Sequence, residues 1–125
     1  MEISSDARYR FERGVDPASC VDGAEVATRM ILELCGGEPS ELVSDGSAPN
    51  TARAITFDPA RVKSLGGIDL AVSESKAILE RLGFTVSGTT VTTPSWRSDV
   101  EGWQDLVEEV LRIHGYDNIP ATPLP

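Results

Sequence analysis

Apolar residues along this chain recur at two spacings, and the alternation between them marks out its elements. Cys20, Ala24, Ala27, Ile31 and Leu34 repeat at helical spacing. Asp16-Pro17 opens that helix with a capping acid and a proline at the first position, and Gly36-Gly37 ends it. Before it, residues 1–15 carry no helical stripe. Tyr9 and Phe11 alternate with Arg8 and Arg10, which predicts a short extended segment. Residues 37–53 are rich in Gly, Pro, Ser, Asp and Asn, the composition of an internal boundary.

Beyond that boundary the pattern is dense. Ala54-Ile-Thr-Phe57 predicts a strand, and Asp58-Pro59 repeats the cap-plus-proline signal for a short helix through Leu65. Gly66-Gly67 stops it. Ser73 then caps a second helix whose buried face is Ala77, Ile78, Leu79 and Leu82, closed by Gly83. Phe84-Thr-Val86, a Ser-Gly turn and Val91-Thr-Thr93 predict a hairpin. The last helix runs from about Trp103 to His114, with Trp103, Leu106, Val107, Val110 and Ile113 as its apolar stripe and Gly115 as its end. The order strand, two helices, hairpin, helix predicts an α+β fold, a small winged-helix-like domain over residues 51–122. An extended segment and a linker helix precede it in residues 1–50. The tail Ile119-Pro-Ala-Thr-Pro-Leu-Pro125 reads as the start of a linker, so the chain reads as a fragment of something larger.

Charge narrows the function. With 11 basic against 20 acidic residues the net charge is −9, which disfavours any polyanion, because binding phosphates depends on Lys and Arg releasing counterions. No run of about 18 apolar residues is present, so no transmembrane helix is expected. Nor does a basic-then-apolar leader point to secretion. Cys20 and Cys35 would stand roughly 22 Å apart along one helix, too far for a disulfide, and read as reduced core cysteines of a cytoplasmic protein.

The chemistry-bearing residues cluster near the last helix. Asp105, Glu108 and Glu109 fall at i, i+3 and i+4, so their side chains converge, and Asp99 can fold back over the same turn from the preceding loop. Clustered carboxylates are what a hard divalent cation needs. Acids also favour the first turn of any helix, and a polar face opposite an apolar stripe can be simply solvated, so spacing leaves both readings open. Arg8, Arg10 and Arg13 surround Phe11 and Glu12 as an anion or RNA contact or as ion pairs with Asp6, Glu12 and Asp16. His114 stands alone at a helix C-terminus, where the dipole favours it. Trp96 and Trp103 read as core or interface anchors. No phosphate-loop, dinucleotide, zinc-protease or nucleophile-elbow pattern is present.

Two separated stretches resemble one family. Ser5-Asp-Ala-Arg-Tyr-Arg-Phe-Glu-Arg-Gly-Val-Asp-Pro17 is similar to the Arg-Phe-Glu-Arg-Gly signature of bacterial phenylalanine–tRNA ligase beta subunits. Thr93-Pro-Ser-Trp-Arg-Ser-Asp99, Asp105-Leu-Val-Glu-Glu-Val110 and Gly115-Tyr-Asp-Asn-Ile-Pro120 resemble the fifth domain of the same subunit. The resemblance implies the end of the editing region followed by the fifth domain. It implies a heterotetramer with a catalytic alpha subunit that charges tRNA-Phe using ATP and magnesium. It further implies that Asp99, Asp105, Glu108 and Glu109 hold a magnesium ion shared with the alpha subunit. Arg8, Arg10, Phe11, Glu12 and Arg13 carry the family signature without an assigned role. The expected function is architectural, with no catalytic residues in this piece and no activity alone. The alternative is a winged-helix nucleic-acid binder with recognition helix 74–82 and wing 84–93. Glu74, Lys76, Glu80 and Arg81 on that helix sum to zero, which disfavours it.

Overall fold

The computed structural model describes residues 4–121. Contacts separate two units, one ending at Thr51 and one beginning at Ala52. In the first, residues Asp6–Arg13 form helix α1, which corrects the expected extended segment. Residues 1–3 of that segment lie outside the described residues. The reason is local. Ser5 Oγ accepts a hydrogen bond from the Arg8 N–H at 3.2 Å, and Arg8 Nε donates to Glu12 Oε1 at 2.8 Å one turn later. The Arg13 guanidinium lies 4.4 Å from the Tyr9 ring centroid, again one turn apart. Each such pair is worth a few tenths of a kcal/mol. Tyr9/Phe11 alternation stabilises a strand only through neighbouring strands, and the described residues of this unit have none.

Asp16 Oδ1 accepts from the Ala18 N–H at 2.9 Å and starts a single 3-10 turn, Pro17–Ser19. Helix α2 follows over Cys20–Cys35 and ends at Gly36, whose N–H donates to the Leu32 carbonyl at 2.9 Å. The helix forms where the apolar spacing predicts it, yet none of its residues is buried. Cys20 and Cys35 are free and exposed, which corrects their placement in a core. An amphipathic stripe needs a facing layer, and the described residues of this unit add only α1, the 3-10 turn and the irregular stretch after Gly36.

The second unit does have a core. Strands β1 (Ala54–Thr56), β2 (Thr85–Ser87) and β3 (Thr90–Thr92) make one antiparallel sheet in the order β1-β3-β2. Val91 of β3 faces Ile55 on one side and Val86 on the other. Helices α3 (Ala60–Gly66), α4 (Val72–Arg81) and α5 (Trp103–His114) complete the α+β fold, in the strand–helix–helix–hairpin–helix order of a winged helix. The fully buried residues Val62, Leu79, Leu106, Val107 and Val110 join α3, α4 and α5, and Phe57 and Val91 bring the sheet onto them. The Asp58 carboxylate accepts from the Ala60 N–H at 3.0 Å to start α3. Pairing continues past the ladder. Thr93 N–H donates to the Arg53 carbonyl, and Arg53 N–H to Thr93 Oγ1, each at 2.9 Å.

Three details differ from the sequence expectation. Helix α4 begins at Val72, and its N-cap Ala71 makes no side-chain cap, so Ser73 is not the capping residue. Its buried face is Ser75, Ile78 and Leu79, while Ala77 is exposed; Ser75 is accommodated because its hydroxyl donates to the Ala71 carbonyl at 3.4 Å. On α5, Leu111 is buried and Ile113 is 40% exposed, because the stripe drifts toward α3, where Leu111 packs against Gly66.

Gly83 ends α4 at φ +91°, and a Cβ there would lie 2.8 Å from the Trp96 ring. Gly83→Ala is therefore expected to cost roughly 1–2 kcal/mol in backbone strain alone. It should also shift Trp96 fluorescence, because the ring must move. Unchanged unfolding and emission would refute this reading of the contact.

The acidic corner of helix α5

Helix α5 has glycine at its N-cap, Gly102, which offers no side chain to its first turn. Asp105 does the capping from inside. Its Oδ2 accepts from the backbone N–H of Glu101 at 2.8 Å and of Gly102 at 2.9 Å. A carboxylate held there also complements the positive end of the helix dipole.

Arg97, from the loop between β3 and α5, holds the rest of the corner. Its Nε and Nη2 donate to Asp99 Oδ1 and Oδ2 at 2.8 and 2.7 Å, a bidentate fork, and Nη2 also donates to Glu109 Oε1 at 3.0 Å. Arg112, one turn along α5, donates to Glu109 Oε2 at 2.6 Å. Glu109 is buried, so the face it occupies is not a solvated one. Burial pushes the Glu109 carboxyl up, but the hydrogen bonds from Arg97 and Arg112 outweigh it and leave it below its ordinary value. The hydrogen bond from Arg97 likewise holds Asp99 below the usual aspartate value, and the Arg97 guanidinium is raised by Asp99 and then Glu109.

Of the four expected metal ligands, the structure thus brings Asp99 and Glu109 together through Arg97. It commits Asp105 to the helix start and leaves Glu108 exposed. Among the described residues no group of three or more His, Cys, Asp or Glu could hold a metal ion. Among the described residues, these four acids do not by themselves make a donor set for magnesium. The sequence reading missed Arg97 and Arg112 as the organisers. Their signal was present, since a basic residue two positions before Asp99 and another three after Glu109 are both within reach of those acids.

Arg8 pairs with Glu12 and Arg13 covers Tyr9 within α1, while Phe11 is exposed. Arg10 lies in the last turn of α1. His114 closes α5 with Nδ1 3.7 Å from Glu74 Oε1. Trp103 packs against the core with the Arg61 guanidinium 4.0 Å above its ring. Trp96 is 58% exposed, so it is not a core residue. No helix among the described residues is long and apolar enough to cross a membrane.

Comparisons with known proteins cover both units. Residues 55–116 match the family model described as tRNA synthetase B5 domain, and residues 1–36 match that described as B3/4 domain. Over its whole length the chain is 55% identical to the phenylalanine–tRNA ligase beta subunit of Cereibacter sphaeroides and 54% identical to that of Paramagnetospirillum magneticum. Over 98% of its length it is 56% identical to that of Rhodospirillum rubrum. The chain spans about 16% of the length of each of these relatives.

Proposed function

Since the chain belongs to the phenylalanine–tRNA ligase beta-subunit family, we propose that it serves as an architectural piece of that ligase. In this reading the whole enzyme charges tRNA-Phe with phenylalanine at the expense of ATP in the cytoplasm. The alpha subunit carries the amino-acid chemistry, and the present chain supplies a packed domain and a surface for its neighbours. One observation carries the reading. Three of the four acids at the corner are spent on holding the fold, with Asp105 on backbone amides and Asp99 and Glu109 on arginines, while Glu108 stays exposed. A general acid or base would need a proton-transfer group left available to a substrate.

Exposed Trp96 and exposed Glu108 remain as candidate contacts to the rest of the enzyme. A large aromatic with more than half its surface in water is the residue type that contributes most when covered by a partner. Magnesium belongs to this reading only in the assembled enzyme, at a junction where oxygens of the alpha subunit would join those of this chain.

The test uses the full-length beta subunit with Trp96→Ala and Glu108→Ala together, coexpressed with its alpha subunit. Assembly is expected to weaken on the order of tenfold, read by sedimentation across dilutions, because an aromatic contact is lost. Unchanged assembly and aminoacylation across a magnesium titration would remove the docking role from this surface.

A further inference from the structure

We propose that Arg97 organises the acidic corner of α5 in place of a divalent cation, so that this chain builds and keeps the corner without magnesium. The oxygens of Asp99 and Glu109 are already occupied. Both oxygens of Asp99 accept from Arg97, and the two oxygens of Glu109 accept from Arg97 and Arg112 respectively. Asp105 Oδ2 takes two backbone N–H groups. Magnesium demands oxygens in a near-octahedral array at about 2.0–2.1 Å and gives up its waters reluctantly. Reaching that array here would break charge-assisted hydrogen bonds at the helix start and in the loop together.

Charge leads to the same conclusion. Asp99 and Glu109 contribute two negative charges that Arg97 and Arg112 balance, so this pair alone presents no deficit for a cation to fill, and the negative charge left at the corner is that of Asp105 and exposed Glu108. A guanidinium also does something a spherical ion does not. Its planar fork fixes the direction of Asp99, and it lies 5.8 Å from the Phe84 ring centroid, which reaches toward the hairpin. Arg97 therefore ties the loop before α5 to the helix and to the entry of the hairpin. It is a positioning residue. This inference does not depend on the docking role proposed above, because it concerns the chain without any partner.

The experiment follows thermal unfolding of the 125-residue chain by tryptophan fluorescence, which reads only the second unit, since both tryptophans, Trp96 and Trp103, lie there. The wild-type Tm is expected to be the same in EDTA and in millimolar magnesium chloride. Arg97→Gln should lower Tm by roughly 5–15 °C in both buffers. Arg97→Lys keeps the charge but loses the fork, and should recover part of that drop. A wild-type Tm that rises saturably with magnesium, and no longer does so in Asp99→Asn, overturns the proposal. So does an Arg97→Gln chain as stable as wild type. Should Arg97→Gln fail to fold, magnesium titration of the wild-type chain by amide NMR decides. Resonances of Asp99 and Glu109 that stay in place support the proposal, and saturable movement of both refutes it.

Discussion

Leu106→Ala is expected to destabilise the second unit by about 3–5 kcal/mol, measured by urea unfolding through tryptophan fluorescence. Leu106 is fully buried in the core shared by α3, α4, α5 and the sheet, so truncation leaves a cavity that rigid neighbours on several elements cannot close. A unit of this size has only about 4–10 kcal/mol in total, at roughly 0.05–0.15 kcal/mol per residue. The substitution thus removes a large share of it. Glu108→Ala, two positions along the same helix but exposed, should move stability by no more than about 0.5 kcal/mol. If the two variants unfold alike, α5 is not seated as described.

Glu109→Gln is the second large expectation, at about 2–4 kcal/mol, because it leaves Arg97 and Arg112 without their shared, buried counter-charge. Acid should mimic it. The folded-state values of Asp99 and Glu109 lie below their ordinary values of 3.8 and 4.5. A depressed carboxylate contributes stability that is fully present above its unfolded value and is lost as pH falls through its folded value. Stability of the second unit is therefore expected to hold down to about pH 4.5 and to fall below it, and the fall should be shallower in Glu109→Gln. A wild-type unit whose stability is level through that range would contradict the ion-pair network.

Much of the second unit was legible because its signals are local and agree. Helix α5 runs from Trp103 to His114 with Gly115 at its end, as the stripe and the glycine predict. The hairpin turn sits at Gly88-Thr89, one residue past the Ser-Gly signal, and the Asp58 carboxylate accepts from the Ala60 N–H just ahead of α3, whose N-cap position is Pro59. What the pattern could not reveal was pairing across distance. The seating of β1 against β3, between residues 54–56 and 90–92, has no signature in either segment alone.

The organisation of the acidic corner was hidden for a related reason. Spacing along α5 grouped the acids correctly as neighbours, but their partners are set by a loop residue, Arg97, twelve positions before Glu109. At the other end of the chain, Arg8-Tyr9-Arg10-Phe11 has the rhythm of a strand and the composition of a helix. With no neighbouring strand among the described residues of that unit, the Ser5 cap and the Arg8–Glu12 pair prevailed.

The sheet is open at both margins, with β3 enclosed between β1 and β2. Both marginal strands are only three residues long, and each carries one hydrophobic side chain, Ile55 or Val86, at its centre between small or hydroxyl-bearing neighbours. So brief a ribbon presents few amides to an intruding polypeptide and little grease to hold it. The domain can leave its flanks uncovered without inviting fibril-like stacking.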